Sequence, residues 1–533
     1  MKKISFLCLF FGIIMAVNAQ NPDEEIFRTS IQTLASDEFG GRGPLTSYET
    51  KAINYIADQF KKFGLQPVNG DSYFQSVPLQ SISTRVKNNS LTINGKKGTL
   101  TLRSSDDFII WSQSLKEKVT LAGAGYVFVG FGICAPEYNW NDYEGIDVKG
   151  KIVVILVNDP GYYDDGLFCG KNMTYYGRWT YKFEEATRQG AAGALVIHDT
   201  APASYSWSVI RNSWSSKNLN LRSEKPQMSF QGWISNDAAK RLFEKAGVSY
   251  DDAVNAAQKK GFKSFPIAAK STVELYNTIQ TGDTYNVAGI LPGTDLKDEY
   301  IVYSAHWDHL GIGIPVNNDS IYNGAVDNAT GVAGLFVIAN KFNLLAQRPR
   351  RSIMFLSVSV EESVLLGSDY YSQHPLAPLD KTVVNLNMDC YGPSGRTHDV
   401  LISAAGDSET DRYVIEAAAA QGRIVKAAPP STTGLYYRSD HFSFAKVGVP
   451  VIIARGGSEM LDPVAEEKKQ AEHPPTNTYH QPSDEYQDWW DFSGTLDDIY
   501  LFYGIGLRLA NESYFPRWKD GIVYKAIREG KTK

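Results

Sequence analysis

The stretch SAHWDHLGIG places three side chains that could bind a metal close together in the chain, namely His306, Asp308 and His309. The apolar run YIVY directly precedes them, and such a run is typical of a buried strand. Imidazole and carboxylate groups without a thiolate suit zinc or a similar first-row metal. The stretch therefore indicates a metal ligand at the end of a strand, before a glycine-rich turn.

Other acidic and histidine side chains follow further apolar runs. Glu361 and Glu362 come after SIMFLSVSV, Asp389 comes after VVNLNM, and His480 lies in TYHQPSDEY. Taken singly, the two glutamates indicate a solvated loop and the histidine a hydrogen-bonded loop residue. Together, at one edge of one sheet, the carboxylates would repel one another unless cations lay among them.

Asp327 has two interpretations. A helix is predicted to begin near Asn328, and an aspartate at its start could cap that helix. The same carboxylate could also bind a metal together with the other candidates. The set of Asp327, one glutamate, Asp389, His306 and His480 contains three carboxylates and two histidines. These are too many ligands for one tetrahedral zinc, but they suit two zincs that share one carboxylate.

The elements that position these side chains alternate between strands and helices from Ser271 onward. The runs YIVYSA, SIMFLSVS, TVVNLNM, VLISA and VPVIIA are continuously apolar or β-branched, as buried parallel strands should be. Helical spacing appears between them, for example in NATGVAGLFVIANKFNLLAQ. The alternation predicts an α/β fold with a doubly wound, mostly parallel sheet. In such sheets ligands bind beyond the carboxyl ends of the strands.

The 533 residues are too many for one compact core, so more than one domain is expected. Residues 20–79 contain two predicted helices, of which the second covers roughly Ser47 to Phe63. Residues 80–265 consist of short alternating runs separated by glycines and charged turns. They predict a β-rich insertion before the α/β domain of residues 266–533.

The first 19 residues combine two lysines, an apolar stretch and a small-x-small ending at Ala19, which predicts a secretory signal peptide. The apolar stretch is shorter than the roughly 20 residues that a membrane span needs. Without the signal peptide the chain has 51 basic and 59 acidic residues. This balance argues against nucleic acid or an anionic membrane as the partner.

Three cysteines remain after the predicted signal peptide: Cys134, Cys169 and Cys390. They cannot form a disulfide framework, although one bridge is possible in an exported protein. Cys390 directly follows Asp389 and is expected to be a buried thiol rather than a nucleophile.

The motifs SAHWDHLG, YNGAVDNATG, VEESVLLGSDYY, NLNMDCYG, YRSDHFSF and TYHQPSDE, in this order, resemble those of the co-catalytic di-zinc aminopeptidases. Relatives of this family include glutamate carboxypeptidase, glutaminyl cyclase and the transferrin receptor. The resemblance covers most of the chain from Leu34 to Leu509. It implies a zinc-exopeptidase fold for residues 266–533, with residues 20–79 as its N-terminal helical part. The segments YEGIDVKGKIVVILV and EEATRQGAAGALVIH make the insertion similar to a protease-associated domain.

The resemblance also implies roles for individual residues and two Zn²⁺ per chain. His306 and Asp389 would hold one zinc, Glu362 and His480 the other, and Asp327 would contact both. Glu361 would be the general base, which takes a proton from the attacking water and passes it to the leaving amine.

Further residues would support these. Asp308 would orient His306 by a hydrogen bond to its other ring nitrogen, and Asp440 would lie behind the ligands. Tyr479 matches the position at which relatives place a tyrosine that donates a hydrogen bond to the oxyanion. Tyr436 and Tyr437 are alternative candidates for this role. The role of His309 is left undecided, and the residue is expected either to support a ligand or to be structural.

Two other expectations concern one peptide bond and one group of three adjacent residues. Relatives hold the peptide bond after the shared aspartate in the cis form, which here joins Asp327 to Asn328. The contiguous Ser439, Asp440 and His441 cannot face one another as a serine triad.

The sequence therefore predicts a secreted or periplasmic zinc exopeptidase that removes N-terminal residues from peptides. No membrane span is expected, and the sequence does not determine the oligomeric state. A carboxypeptidase or dipeptidase on the same scaffold is the main alternative, for which Arg438 and Arg455 could bind a C-terminal carboxylate. A glutaminyl-cyclase-like enzyme would use one zinc, and a non-catalytic relative would have lost ligands. The aromatic stretch from Tyr175 to Glu185 is either a packed loop or a lid that faces substrate.

Overall fold

The structure is a computed structural model that describes residues 21–214, 217–222, 227–474, 476 and 478–530. The predicted signal peptide, residues 1–19, lies outside the described residues. Within the described ranges, no helix combines the length and the apolar character that crossing a bilayer requires.

The C-terminal half of the chain is built on a mostly parallel sheet. Its strand order is Val451–Ile452, Thr382–Asn387, Leu296–His306, Arg351–Val358 and Phe265–Leu291. The first four strands pair in parallel, and the fifth runs antiparallel to Arg351–Val358. The α/β fold predicted from the alternating runs is confirmed.

Both faces of this sheet are covered because successive side chains of a strand point to opposite sides. Ile301, Tyr303 and Ala305 join the core on one face, whereas Val302 joins the core on the other. The helices that contribute to the first core are Pro22–Leu34, Ser47–Lys62, Thr330–Asn343, Asp411–Ala420 and Ser493–Asn511. The helices packed on the second are Leu366–Gln373, His441–Lys446 and Val523–Arg528.

One predicted strand of the large sheet lies elsewhere. The run VLISA forms Asp399–Ile402, which belongs to a separate three-stranded sheet between Ile424–Ala427 and Ala454–Gly456. Its Val400 and Ile402 still reach the first core. A short apolar run has the same pattern in either sheet, because burial alone determines its composition.

The inserted region carries a second series of parallel strands. Lys118–Phe128, Ile152–Leu156, Gly193–His198 and Phe230–Ser235 pair in parallel in this order, and Phe108–Trp111 closes the edge in antiparallel pairing. The hairpin of Ser90–Gly95 and Gly98–Arg103 lies beside them. The helices of this region are Trp179–Arg188, Thr200–Ala203, Trp207–Trp214, Asn236–Ala246 and Tyr250–Ala257.

One long strand takes part in both regions. Phe265–Leu291 pairs with Lys118–Phe128 along its first half and with Arg351–Val358 near its end. Phe74–Val86 pairs with it over residues 275–287. The boundary predicted between residues 265 and 266 therefore falls at the beginning of this strand.

The aromatic stretch after residue 174 packs against the C-terminal half of the chain. The Tyr175 ring lies 4.7 Å from the Phe442 ring and 5.7 Å from the Tyr437 ring, measured between centroids. Its hydroxyl donates a hydrogen bond to Glu184 at 2.6 Å. The contacts of Tyr175 are those of a packed loop. Cys134, Cys169 and Cys390 are free thiols.

Candidate metal centre

Three neighbouring parallel strands bring the candidate ligands together. His306 is the last residue of Leu296–His306, and the flanking strands Thr382–Asn387 and Arg351–Val358 lead into Asp389 and Glu362. Because the strands are parallel, their carboxyl ends meet at one edge of the sheet. His306 thus lies between the two acidic loops.

The candidate ligands form two groups that share Asp327. His306 Nε2 lies 3.3 Å from Asp327 Oδ1 and 3.3 Å from Asp389 Oδ1. On the other side, His480 Nε2 lies 3.4 Å from Asp327 Oδ2 and 3.0 Å from Glu362 Oε2. The two oxygens of Asp327 therefore face different histidines.

These spacings provide a test of whether the residues fit zinc. Ligand atoms about 2.0–2.2 Å from a tetrahedral zinc lie about 3.3–3.6 Å apart. The four contacts across the two groups, at 3.0–3.4 Å, are close to this separation. The donor set therefore fits two ions with Asp327 between them.

The orientation of His306 is a second indication of a cation. Its Nδ1 lies 3.1 Å from the backbone carbonyl oxygen of Asp308, so Nδ1 carries the proton and donates it. In the neutral ring the lone pair of Nε2 then points at the oxygens of Asp327 and Asp389. A lone pair facing two carboxylates is repulsive unless a proton or a metal ion lies between them.

The charged groups of the site also favour a cation between the carboxylates. Burial lowers the pKa of His480, but Asp327 and Glu362 raise it to about 10. Burial opposes the charged form of Asp327 too, yet His306 and His480 hold the pKa of this carboxyl well below its usual range. The carboxylates thus attract positive charge onto the histidines, and a divalent cation would displace those protons.

Asp327 does not cap the following helix. The N-cap of Thr330–Asn343 is Ala329, which makes no side-chain capping bond. The Asp327–Asn328 peptide bond is cis, as the sequence comparison with the family implied. The Asn328 side chain accepts from the backbone N–H of Cys390 at 3.2 Å and donates to the Met388 carbonyl at 3.0 Å. It thereby links the turn of Asp327 to the loop of Asp389.

The adjacent glutamates differ in their electrostatic surroundings. Burial raises the pKa of Glu361 well above its usual range, and Asp389 adds to this although His306 opposes it. Burial acts on Glu362 in the same sense, but His309 and His480 lower its pKa to about 2. One glutamate can therefore take up a proton while its neighbour stays ionised, which is the arrangement that a base beside a ligand requires.

The backbone before these glutamates turns sharply. Val360 is fully buried and has a φ of 54°, which is rare for a β-branched residue and occurs where surrounding structure enforces it. The backbone N–H of Glu361 then donates to Asp308 Oδ1 at 3.1 Å. The turn and this hydrogen bond fix the start of the acidic loop.

The resemblance implied that the carboxylate of Asp308 orients His306, but the structure shows a different atom of Asp308 in this contact. The Asp308 backbone carbonyl, not its carboxylate, accepts the Nδ1–H of His306, while Oδ1 lies 3.9 Å from Nδ1. The carboxylate is instead occupied by the Glu361 N–H. Asp308 therefore connects the loop of His306 to the loop of the glutamates.

Tyr479 lies over the second group. Its ring stacks on the His480 ring with centroids 3.9 Å apart, and 56% of the residue is exposed. A tyrosine hydroxyl ordinarily has a pKa of about 10. The hydroxyl is therefore a protonated donor at neutral pH.

The segment of Asp440 lies behind the first group. Asp440 is fully buried, and this burial raises its pKa to about 7, although His306 opposes the shift. His441 Nε2 lies 2.6 Å from the backbone carbonyl oxygen of Tyr436. This histidine is thus engaged away from Asp440, and the rejection of a serine triad agrees with the geometry.

Two supporting residues were not singled out from the sequence. Arg42 is fully buried and donates to the backbone carbonyl oxygens of Leu34, Trp307, Asn323 and Gly324 at 2.6–2.8 Å. Asp484 accepts hydrogen bonds from the backbone N–H groups of Val326 and Asp327. The only signals were the compact GGRGP loop and the SDE segment after His480, and neither pattern identifies a partner hundreds of residues away.

The comparisons with known proteins show which families and structures this chain is similar to. Residues 286–499 match the model of peptidase family M28. The rat aminopeptidase NAALADL1 (Rattus norvegicus) is 34% identical over 131 residues, which is 24% of this chain and 16% of the relative. A glutamate carboxypeptidase 2 homolog of Caenorhabditis briggsae is 29% identical over 134 residues, with the same two shares. The chain thus spans 16% of the length of these curated relatives.

Two solved structures resemble the whole chain at low identity. An aminopeptidase from Aneurinibacillus sp. strain AM-1 has 20% identity and a TM-score of 0.48, and covers 94% of this chain and 95% of its own. The zinc aminopeptidase BSAP from Bacillus subtilis has 16% identity and a TM-score of 0.43, with 94% and 98% covered. Residues 286–499, the segment that matches the model of peptidase family M28, carry all the predicted site residues.

Proposed function

We propose that the chain is a di-zinc aminopeptidase that removes N-terminal residues from peptides. The observation that supports the two-metal part of this proposal is the division of Asp327, whose Oδ1 faces His306 and whose Oδ2 faces His480. A carboxylate with one oxygen in each of two ligand groups is suited to contact two ions at once.

In this proposal His306 and Asp389 would hold one zinc, Glu362 and His480 would hold the other, and Asp327 would be shared by both. Bound zinc would supply Lewis acidity, which polarises the scissile carbonyl and makes a water molecule more acidic. Asp308 supports His306 through its backbone carbonyl, which accepts the Nδ1–H. Asp440 supports the first ligand group as a fully buried carboxyl whose pKa responds to His306 and Asp389.

Glu361 acts as the general base. It accepts the proton of the attacking water and delivers it to the leaving amine, for which its raised pKa is an advantage. A base works best when its pKa lies near the operating pH, and burial moves the pKa of Glu361 upward from its ordinary value.

Tyr479 donates a hydrogen bond to the oxygen that becomes negative in the transition state. Its exposure and its stacking on His480 support this role, since a donor beside the second ligand group must be accessible to substrate. Such a donor stabilises the transition state more than the ground state, because the charge on the oxygen develops during the reaction.

We also propose that the protein is exported and contains a protease-associated insertion. The support for export is the pattern of residues 1–19, and the support for the insertion is its series of parallel strands and its likeness in sequence. Residues 20–79 and 266–533 together form the zinc peptidase part in this proposal.

The deciding experiment compares a free peptide with its N-acetylated and its C-amidated forms, with zinc content measured on the same sample. An aminopeptidase needs a free α-ammonium, since a charged group left without a partner in the site is costly. We expect that N-acetylation abolishes cleavage, that C-amidation changes the rate little, and that active protein contains two zincs. One zinc at full activity would refute the bridged pair, whereas a one-zinc protein that cleaves none of the peptides would support a glutaminyl-cyclase-like enzyme.

A carboxypeptidase or dipeptidase is the second candidate, and one observation favours it. Arg438 lies two residues before Asp440, and Arg178 of the inserted region lies close enough that burial and Arg438 lower the pKa of Arg178 to about 10. Two arginines near each other could bind a carboxylate. Loss of cleavage on C-amidation, with N-acetylation tolerated, would establish this alternative.

A further inference from the structure

His309 makes the shortest contact within the second ligand group. Its Nδ1 lies 2.6 Å from Glu362 Oε1, and the residue is 1% exposed. The other oxygen of the same carboxylate, Oε2, lies 3.0 Å from His480 Nε2. The two oxygens of Glu362 therefore face two different histidines.

Distance separates the roles of these histidines. Donor atoms of His309, Asp327 and Glu362 all lie within 4.8 Å of one another, so His309 could be taken for a ligand. However, two atoms bound to one tetrahedral zinc lie about 3.3–3.6 Å apart. A separation of 2.6 Å is that of a short charge-assisted hydrogen bond.

The surroundings hold the His309 ring in this orientation. A Cβ placed on Gly324 would come 2.6 Å from His309 Cγ, so the backbone of Gly324 lies directly against the ring. The His480 ring meets it edge-on, with centroids 5.7 Å apart and an angle of 72°. His309 cannot swing toward a position between the carboxylates without moving these neighbours.

We propose that His309 is a positioning residue that holds Glu362 Oε1 by its Nδ1–H, so that Glu362 offers only Oε2 to the second metal ion. This inference rests on the proposed two-metal function and deepens it. A carboxylate with one oxygen engaged cannot bind in the bidentate mode, and a coordination position of that ion therefore stays open for substrate.

The test uses three variants of the full chain in metal-free form. His309→Asn keeps an N–H donor near the position of Nδ1, whereas His309→Leu removes the donor and keeps the bulk. His198→Leu is the control, because it removes a buried imidazole of the inserted region. Each protein is titrated with Co²⁺ in competition with a chromophoric chelator, and the visible absorption of bound Co²⁺ reports the coordination.

We expect that His309→Leu weakens one of the two Co²⁺ sites by about 10–100-fold, the usual effect of removing a partner of a metal ligand. His309→Asn should restore most of this affinity, and His198→Leu should leave it unchanged. Thermal unfolding of the metal-free proteins identifies any variant that fails to fold, and His309→Asn then decides the result.

Two results would overturn the inference. One is a His309→Leu protein that binds both ions with wild-type affinity. The other is an equal loss of one site in His309→Asn and His309→Leu with an absorption change typical of a lost imidazole ligand, since His309 would then be a ligand. Failure of the proposed function would differ from both, because metal-loaded wild type would then cleave none of the peptides or would cleave the N-acetylated peptide and not the C-amidated one.

Discussion

The backbone N–H of Asp327 donates a hydrogen bond to Asp484 Oδ2 at 3.1 Å. The neighbouring N–H of Val326 reaches the same carboxylate at 3.0 and 3.2 Å. Asp484 is 2% exposed and lies four residues after His480. The segment that supplies one candidate ligand thus also holds the backbone of another.

Asp484→Asn should weaken metal binding without removing a ligand. The amide nitrogen of asparagine donates and cannot accept a hydrogen bond, so only one acceptor oxygen would remain for the two N–H groups and the turn of Asp327 would lose part of its support. We expect affinity to fall by about 10–100-fold in a chelator competition. Asp488→Asn, an exposed change in the same segment, is the control. Equal affinity in the two variants would show that Asp484 does not hold the site.

Glu361→Gln and Glu362→Gln should have different effects although the residues are adjacent. Loss of the base lowers turnover by about 10²–10⁴-fold while metal content stays unchanged. Loss of the ligand should instead lower the metal content. Elemental analysis and kcat, measured on the same samples, distinguish the two. Full activity of Glu361→Gln would rule out its role as the base.

Arg42→Lys should destabilise the protein by about 2–4 kcal/mol. A lysine ammonium cannot reach all four carbonyl oxygens that the guanidinium contacts, and the unsatisfied carbonyls would stay buried. Urea unfolding measures the change. Arg348→Lys, at an exposed position, should have almost no effect and serves as the control.

Tyr479→Phe should lower kcat by about 10²–10³-fold, the usual effect of losing one oxyanion donor. KM should change much less, because the hydrogen bond strengthens only as charge develops. Tyr436→Phe is the matched control, since Tyr436 is the rival candidate. If the control loses activity and Tyr479→Phe does not, the oxyanion donor is Tyr436.

His441 should make stability depend on pH in mild acid. Burial lowers its pKa from 6.5 to about 4, so between these pH values the unfolded chain binds more protons than the folded one. The free energy of unfolding therefore falls as pH drops from 6.5 to 4, by about 3 kcal/mol for this group. His441→Gln keeps a donor to Tyr436 but does not titrate. Metal-free wild type should lose more thermal stability over this range than the variant; equal slopes would contradict the assignment.

The ligand positions could be anticipated because parallel strands end at one edge of a sheet. His306, Glu362 and Asp389 each follow an apolar run, so their meeting depends only on strand order. The position of His309 against Gly324 depends on loop conformation, and no periodicity describes it. The contacts of Arg42 join segments 265 and 281 residues apart, which a local pattern cannot reveal.

The strand Phe265–Leu291 also limits how this protein can be divided. Its 27 residues pair with strands of the inserted region and with strands of the peptidase sheet alike. Excising residues 80–265 would remove most of Phe74–Val86, the partner of residues 275–287, and expose a strand edge that invites aggregation. The insertion is therefore not an exchangeable unit, and shuffling it between relatives would require that both long strands be transferred with it.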